Sequence, residues 1–373
     1  MLIDVAQRRG FSLYFLGRFA QSVECLLEHR ERLDRLDDHV LAGPYYFWLA
    51  HMYSRLGRPE TAVECARRAI DEGGRCGDDA TVGKAHGLLA LEGHWSGAAR
   101  DGIEHGRTAV ARLEGTTQQW WLGMAYIYLG FDYVLLGEWP EAQRAAANAT
   151  AIGEAISDTR LQCYAAFTIC WIASMRGEGA VAVDEAERSR KLATDRVSGV
   201  YAAGFLGYAH VDRGEAEAAI PLLEHAVQEL EQFGFPQWHG MFTAALAEAY
   251  RLSGDTEKAF ALAERGLALA TSCRYWLGVG YAQRVLARVA SDRGCPDEAT
   301  ARFAEALATF TSIDARIEIG RMRIELADLA ANRHDRPGGL KHAEAAEAML
   351  RDVDAPVQLA HAQRLLRELR HPA

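Results

Sequence analysis

Cysteine is thin in this sequence and never paired by spacing. The 373 residues hold seven, at positions 25, 65, 76, 163, 170, 273 and 295, an odd number with no CxxC among them. That pattern speaks against a disulfide framework and reads as small, reduced helix residues. Cationic excess is missing too: 41 Lys and Arg stand against 51 Asp and Glu, a formal charge of −10. An acidic chain is a poor partner for a phosphate backbone, so no nucleic-acid partner is expected. No apolar run approaches the about 18 residues of a membrane span, and the opening MLIDVAQRRG lacks a basic segment followed by an apolar one. No membrane association is expected, and a cytoplasmic location, where free thiols persist, is the corresponding expectation.

Signatures of chemistry are equally scarce. GDDATVGKA resembles a phosphate loop at first sight, but Lys84 is followed by Ala85 and the glycine spacing is wrong for backbone N–H groups to cradle phosphate. GVGYAQ around Gly278 lacks the third glycine of a dinucleotide fingerprint. Thirteen histidines include no HExxH, although His86, His94 and His105 lie near enough in sequence to converge from adjacent helices. GxSxG is absent, and acidic pairs are as frequent as solvated helix faces require. No catalytic residue, metal ligand or cofactor is expected, and the chain does not read as an enzyme.

What is present is a period. Glycine recurs at 17, 57, 97, 137, 177, 214, 254 and 294, in steps of 40 with one step of 37, and a further 40 lands on His334. Eight residues before each turn from Gly57 onward stands an aliphatic residue (Leu49, Leu89, Leu129, Ile169, Leu206, Leu246, Leu286, Leu326). Five and twelve residues after it stand small ones, such as Ala62 with Ala69, Ala142 with Ala149 and Ala299 with Ala306. Side chains seven apart share a helix face, so each unit is a helix, a tight turn and a second helix carrying a small-residue seam for the next unit. Regular stacking of this kind gives a solenoid with no central core to outgrow. Glycines fourteen before the turn, such as Gly123 and Gly280, read as points of close helix approach. The 37-residue step is expected to shorten a loop.

The small residue, a tyrosine four before the turn (Tyr53, Tyr133, Tyr250) and the two spaced alanines together resemble the tetratricopeptide repeat, from about residue 10 to 350. The 40-residue form, with openings such as QWWLG, PQWHG and YWLGVGYAQ, is similar to the C-terminal repeat region of large bacterial signalling ATPases, including those fused to class III adenylate or guanylate cyclase domains. It is similar in kind to the repeat superhelix of the maltose-regulon activator type. The resemblance implies an all-α fold: a right-handed α-solenoid of about nine hairpins. The expected division is one superhelical domain over 1–373, with repeats over about 1–350 and a capping helix over about 356–370. The activities of those larger proteins do not transfer, because none of their nucleotide-binding, cyclase or DNA-binding segments is read here. At the N-terminus, residues 2 to 16 already serve as the first helix, with Phe11, Tyr14 and Phe15 among its apolar residues. That end is read either as an edge that docks a partner or a second copy, forming a homodimer, or as a module cut from a longer parent.

In such stacks the first helices line the concave side, and positions thirteen, ten, six and three before each turn share the inward face. These positions place Phe131, Tyr164, Phe167, Trp171, Tyr201 and Tyr208 along an aromatic groove, with Trp120 and Trp238 on its rim. Further along they place Tyr281, Arg284, Arg288 and Arg321, a cationic cluster suited to a carboxylate or phosphate, unless the arginines pair with Glu248 or Asp328 across the groove. The expected function is a non-catalytic scaffold in bacterial signalling or regulation, binding a protein or peptide segment in an open groove. The alternative is a small-molecule sensor with an aromatic-lined pocket.

Overall fold

The computed structural model describes residues 2–371, and among these every regular element is a helix. The first hairpin is α1 (Leu2–Phe15) with a second arm broken into α2 (Phe19–Leu27) and α3 (Arg30–Leu36). Then come α4 (His39–Arg55) with α5 (Pro59–Cys76), α6 (Asp79–Ser96) with α7 (Ala99–Leu113), α8 (Gln119–Leu136) with α9 (Trp139–Ala155), and α10 (Thr159–Arg176) with α11 (Gly179–Leu192). The second half continues with α12 (Arg196–Asp212) and α13 (Ala216–Phe233), α14 (Pro236–Leu252) and α15 (Thr256–Ser272), α16 (Trp276–Asp292) and α17 (Pro296–Ser312), and α18 (Arg316–Asn332) and α19 (Arg336–Asp352). A last helix, α20 (Pro356–Arg370), packs on α18 and α19. It buries Leu365, Leu366 and Leu369 beside Ala327 and Ala343 and turns Arg364 and Arg367 outward. This is the all-α repeat solenoid that the glycine spacing predicts.

The turn glycines take the conformation that selects them. Gly57, Gly97, Gly137 and Gly177 have φ between +66° and +82°, which ends a helix without a Cβ clash. His334 holds φ +60° at the ninth turn. A second left-handed position recurs between hairpins, at Asp37, Gly77, Ser157, Gly234, Arg274, Asp314 and Asp354. Glycine occupies only two of those seven, so this second beat is hidden in the composition. Some first helices start on aspartate caps: the carboxylates of Asp38, Asp78 and Asp158 accept from the backbone N–H of Leu41, Thr81 and Leu161 at 3.2, 3.0 and 2.7 Å. The seam alanines Ala62, Ala69, Ala142, Ala149, Ala299 and Ala306 are wholly buried. At Gly280 a Cβ would fall 2.3 Å from the Phe310 ring, the close approach that the recurring glycine predicts. The short step is a correction: α11 has 14 residues where α9 has 17, while the following connection keeps its length, 193–195 against 156–158. The residues are missing from the helix, not from the loop.

The spring is not open along its length. Gly17 abuts Phe233, Gly57 abuts Cys273, Gly97 abuts Ile313 and Gly137 abuts Val353, each pair at the same separation along the sequence. Four repetitions of one separation mean that a full superhelical turn comes after about five and a half repeats, and that each hairpin turn then seats on an inter-hairpin turn of the next coil. Polar contacts fasten the same seam. The Gln237 amide donates to the Ser54 carbonyl at 2.8 Å, the Trp139 indole N–H donates to the Val353 carbonyl, and Arg100 meets Asp314 at 2.7 Å. At the N-terminal edge Leu2, Val5, Phe11 and Leu16 are about half exposed, whereas Phe15 lies under the Arg160 guanidinium, 3.7 Å from the ring centroid.

Candidate functional site

The positions read as the aromatic groove do face inward, but they meet each other and the next coil rather than solvent. Phe131, Tyr164, Phe167 and Tyr201 are 2 to 3% exposed and Trp171 is fully buried. Trp238, expected on the rim, is the hub: its ring lies 5.3 Å from Trp95, 6.1 Å from Phe131, 6.4 Å from Phe167 and 5.0 Å from Phe205. Trp120 is half-buried against Trp121 and stands apart from this cluster. Ring packing from two successive coils therefore fills the interior of the first half of the superhelix. The physical reason is coil-to-coil closure, which the periodicity of one coil does not encode.

A solvent-filled space survives further along. A cavity of about 700 Å³ opens between α10, α12, α14, α16, α18 and α20, where smaller and charged side chains replace the rings. Five of the expected site residues, Tyr208, Tyr281, Arg284, Arg288 and Arg321, lie on its wall. The rings of Tyr208 and Tyr281 are 6.2 Å apart, and among the described residues the Tyr208 hydroxyl has no hydrogen-bond partner.

The arginines do not form a free cationic cluster. Arg284 and Arg321 both reach Glu318, Arg321 at 2.9 Å, and Arg321 also donates to the Ser174 and Met175 carbonyls at 3.0 and 3.1 Å. Arg288 pairs with Glu248 at 2.8 Å and with Glu325. Arg251, which the inward-face reading did not place in the cluster, bridges Glu248 at 2.9 Å and Asp292 at 2.8 Å. Burial raises the pKa of the Glu248 carboxyl, but Arg288, Arg251 and Arg284 outweigh that and hold it down to about 2. The cavity wall carries five carboxylates (Asp212, Glu248, Asp292, Glu325, Asp328) and four guanidiniums. Its surplus is acidic, and burial raises the pKa of Asp328, whose only ion-pair contact among the described residues is His361 at 3.6 Å. The wall can therefore accept hydrogen bonds from an incoming donor more readily than it can offer an unoccupied guanidinium.

The histidine trio splits. His86 and His105 meet at 2.9 Å between ring nitrogens, while His94 is buried among Trp95, Phe131, Trp171 and Tyr275. Among the described residues no group of three His, Cys, Asp or Glu is placed to hold a metal ion. The cysteines stay free, and no helix is long and apolar enough to cross a membrane.

Comparison with known proteins matches residues 43–72 and 240–265 to the tetratricopeptide repeat. No curated protein matches the chain. Among solved structures, a Rap protein complexed with competence and sporulation factor aligns over 99% of this chain and 97% of its own, at a TM-score of 0.59 and 13% identity. Aspartyl phosphate phosphatase F from Bacillus subtilis aligns over 82% of this chain and 93% of its own, with a TM-score of 0.54 and 11% identity. The apo form of RapI covers 73% of this chain and 98% of its own, at a TM-score of 0.53 and 12% identity. At such identities the likeness is one of fold.

Proposed function

We propose that this repeat solenoid, two stretches of which match the tetratricopeptide repeat, is a non-catalytic scaffold that takes a short segment of a protein partner into the cavity between α10 and α20. The observation that carries this reading is the change along the inner wall. Where the coils touch, the wall is packed rings; where they part, it is a recess of about 700 Å³ lined by charged side chains and two tyrosines. Repeating first helices offer an extended or helical segment regularly spaced contacts. Because the arginines are already bonded to carboxylates, the segment is one that brings cations: a Lys or Arg side chain lying over Asp328 and Asp212, beside an apolar or aromatic residue against Tyr208 and Tyr281. This replaces the expectation of an acidic ligand. A Rap protein of the same fold that is complexed with competence and sporulation factor supports a factor-binding role, and with it a place in bacterial signalling in the cytoplasm.

Fluorescence polarisation with short labelled peptides of matched hydrophobicity and graded charge tests the proposal. Basic-aromatic peptides are expected to bind, and Asp328→Asn with Asp212→Asn to weaken them at least tenfold. Equal binding of acidic and basic peptides, or none by either, sinks it. A second reading, a metabolite sensor, is favoured by the cavity size, which falls in the range of small-ligand pockets. A metabolite screen by thermal shift that finds ligands while every peptide fails would select that reading instead.

A further inference from the structure

The packed interior contains a charged group with no counter-charge in contact among the described residues. Arg55, at the end of α4, is 4% exposed, and among the described residues no carboxylate lies within ion-pair distance of its guanidinium. One terminal nitrogen donates to the Tyr128 hydroxyl at 3.3 Å, and the Nε–H, fully buried, has no partner. The guanidinium stacks 5.1 Å over the Phe235 ring, so both coils enclose it. Beside it, the Tyr164 and Tyr201 hydroxyls are also buried without a partner among the described residues, their rings 6.1 Å apart. Arg55, Tyr164 and Tyr201 all line one void of about 20 Å³, walled by rings including Trp95 and Trp238.

We infer that this void is a halide-sized anion site, in which Arg55 supplies the charge and the Tyr164 and Tyr201 hydroxyls donate to the same monatomic anion. Three features select that class. Burying an unpaired guanidinium in a ring-lined interior is costly, and an anion in contact offsets that cost. The unpartnered polar atoms of the residues around the void, the Arg55 Nε–H, the Tyr164 and Tyr201 hydroxyls and the Trp95 indole N–H, can all donate, which suits an anion rather than a cation. The void is larger than the ~10–15 Å³ that one water-sized particle needs, but leaves no room for a carboxylate ligand or a tetrahedral oxyanion. The titratable neighbours do not replace it. Burial pushes the Glu92 carboxyl up to about 7 despite the nearby Ser54 hydroxyl and Arg55, one of its oxygens is unpartnered, and it is outside ion-pair reach. His51 is fully buried and held far below its ordinary value by burial and then by Arg55, so it stays neutral. Tyr14 and Tyr128, the other titratable groups facing Arg55, are phenols.

The test is thermal unfolding of the full chain in sodium bromide or chloride against sodium gluconate at equal ionic strength and pH 7, with bromide anomalous scattering from crystals. A halide-specific rise in Tm and one anomalous peak beside Arg55 are expected. Tyr201→Phe and Tyr164→Phe, which keep the ring packing, should each weaken halide dependence at least threefold, and Arg55→Met should abolish it. Should Arg55→Met fail to fold, the two tyrosine variants still decide the matter. Water alone in the void, or halide dependence unchanged in both tyrosine variants, overturns the site. Glu92→Gln separates the rival arrangement: halide dependence already present in the parent and retained in the variant supports the anion, whereas halide dependence that appears only in the variant would make Glu92 the counter-charge and overturn the proposal. The outcome is independent of the segment-binding cavity, which shares none of these residues.

Discussion

Gly97 and Ile313, on successive coils of the superhelix, are packed so closely that a Cβ on Gly97 would fall 2.1 Å from the Ile313 side chain. The left-handed φ of +76° that makes Gly97 a good helix stop thus also clears the space in which the next coil seats its isoleucine. One glycine serves both the local turn and the coil-to-coil contact.

The coil contact is testable apart from helix formation. Ile313→Lys places an ammonium where an almost fully buried side chain meets a backbone turn. Losing that burial removes roughly 2–3 kcal/mol, with a further desolvation cost for the charge. Far-ultraviolet circular dichroism should stay unchanged, while the radius of gyration from small-angle scattering increases and a hydrophobic dye binds. An unchanged radius would mean that the first coil holds the second without this contact.

Trp238 supports a second prediction. Trp238→Ala should cost about 3–5 kcal/mol in urea unfolding, the usual loss on emptying an aromatic core site. Trp120→Ala should cost under about 1.5 kcal/mol, because Trp120 is half-buried and belongs to no such hub. Sequence spacing places both on one rim; similar losses for the two would restore that equivalence.

The contrast shows what was legible in the residues and what was not. The hairpin, the turn glycines, the alanine seam and the inward face of each first helix follow from contacts within one repeat or between neighbours, and spacing reports them. Superhelical pitch arises from small rotations summed over many interfaces, and no single residue marks it. Hence Tyr208, Tyr281, Arg284, Arg288 and Arg321 were legible as inward-facing, whereas the ring packing that fills the wall at Trp171 was not. The carboxylates facing the arginines were partly legible: Glu248 occupies an inward position, but Glu318 and Glu325 lie outside the chosen offsets. Arg55 carried no signal beyond a basic residue near a helix end.

Glu248 joins two arginines, Arg251 and Arg288, and is 8% exposed on its side chain. Removing one partner of a buried, hydrogen-bonded pair costs about 3–5 kcal/mol because the remaining charge is left uncompensated. Arg251 keeps Asp292 and Arg288 keeps Glu325, so Glu248→Ala should lower stability by less than that, about 1–3 kcal/mol. Arg288→Met should cost less in the Glu248→Ala background than in the parent, because one of the two carboxylates it serves is already gone. A double variant as unstable as the two single losses added together would show that the three groups do not act as one network.

Acid should loosen the aromatic interior through its histidines. Burial holds His94 down to about 3 and His51 well below its ordinary 6.5. Their folded-state pKa values are depressed, so the stability they contribute is complete above pH 6.5 and is lost as pH falls below it. Glu92 works in the opposite direction: its folded-state value of about 7 lies above the unfolded one, so acidification from pH 7 toward 4.5 favours the folded chain. Burial also pushes the Asp132 carboxyl well up, so it acts with Glu92, while His86 and His239, held down to about 4, act with His94 and His51. Each depressed histidine contributes about 2 kcal/mol between pH 6.5 and 5, at about 1.4 kcal/mol per pH unit. His94→Leu keeps an apolar group among the rings of Trp95, Phe131, Trp171 and Tyr275. Unfolding free energies from urea titrations at pH 7 and pH 5 should therefore differ less in His94→Leu than in the parent, by the contribution of that one histidine. Parallel pH profiles for the two chains would show that His94 takes up its proton without leaving the packed interior.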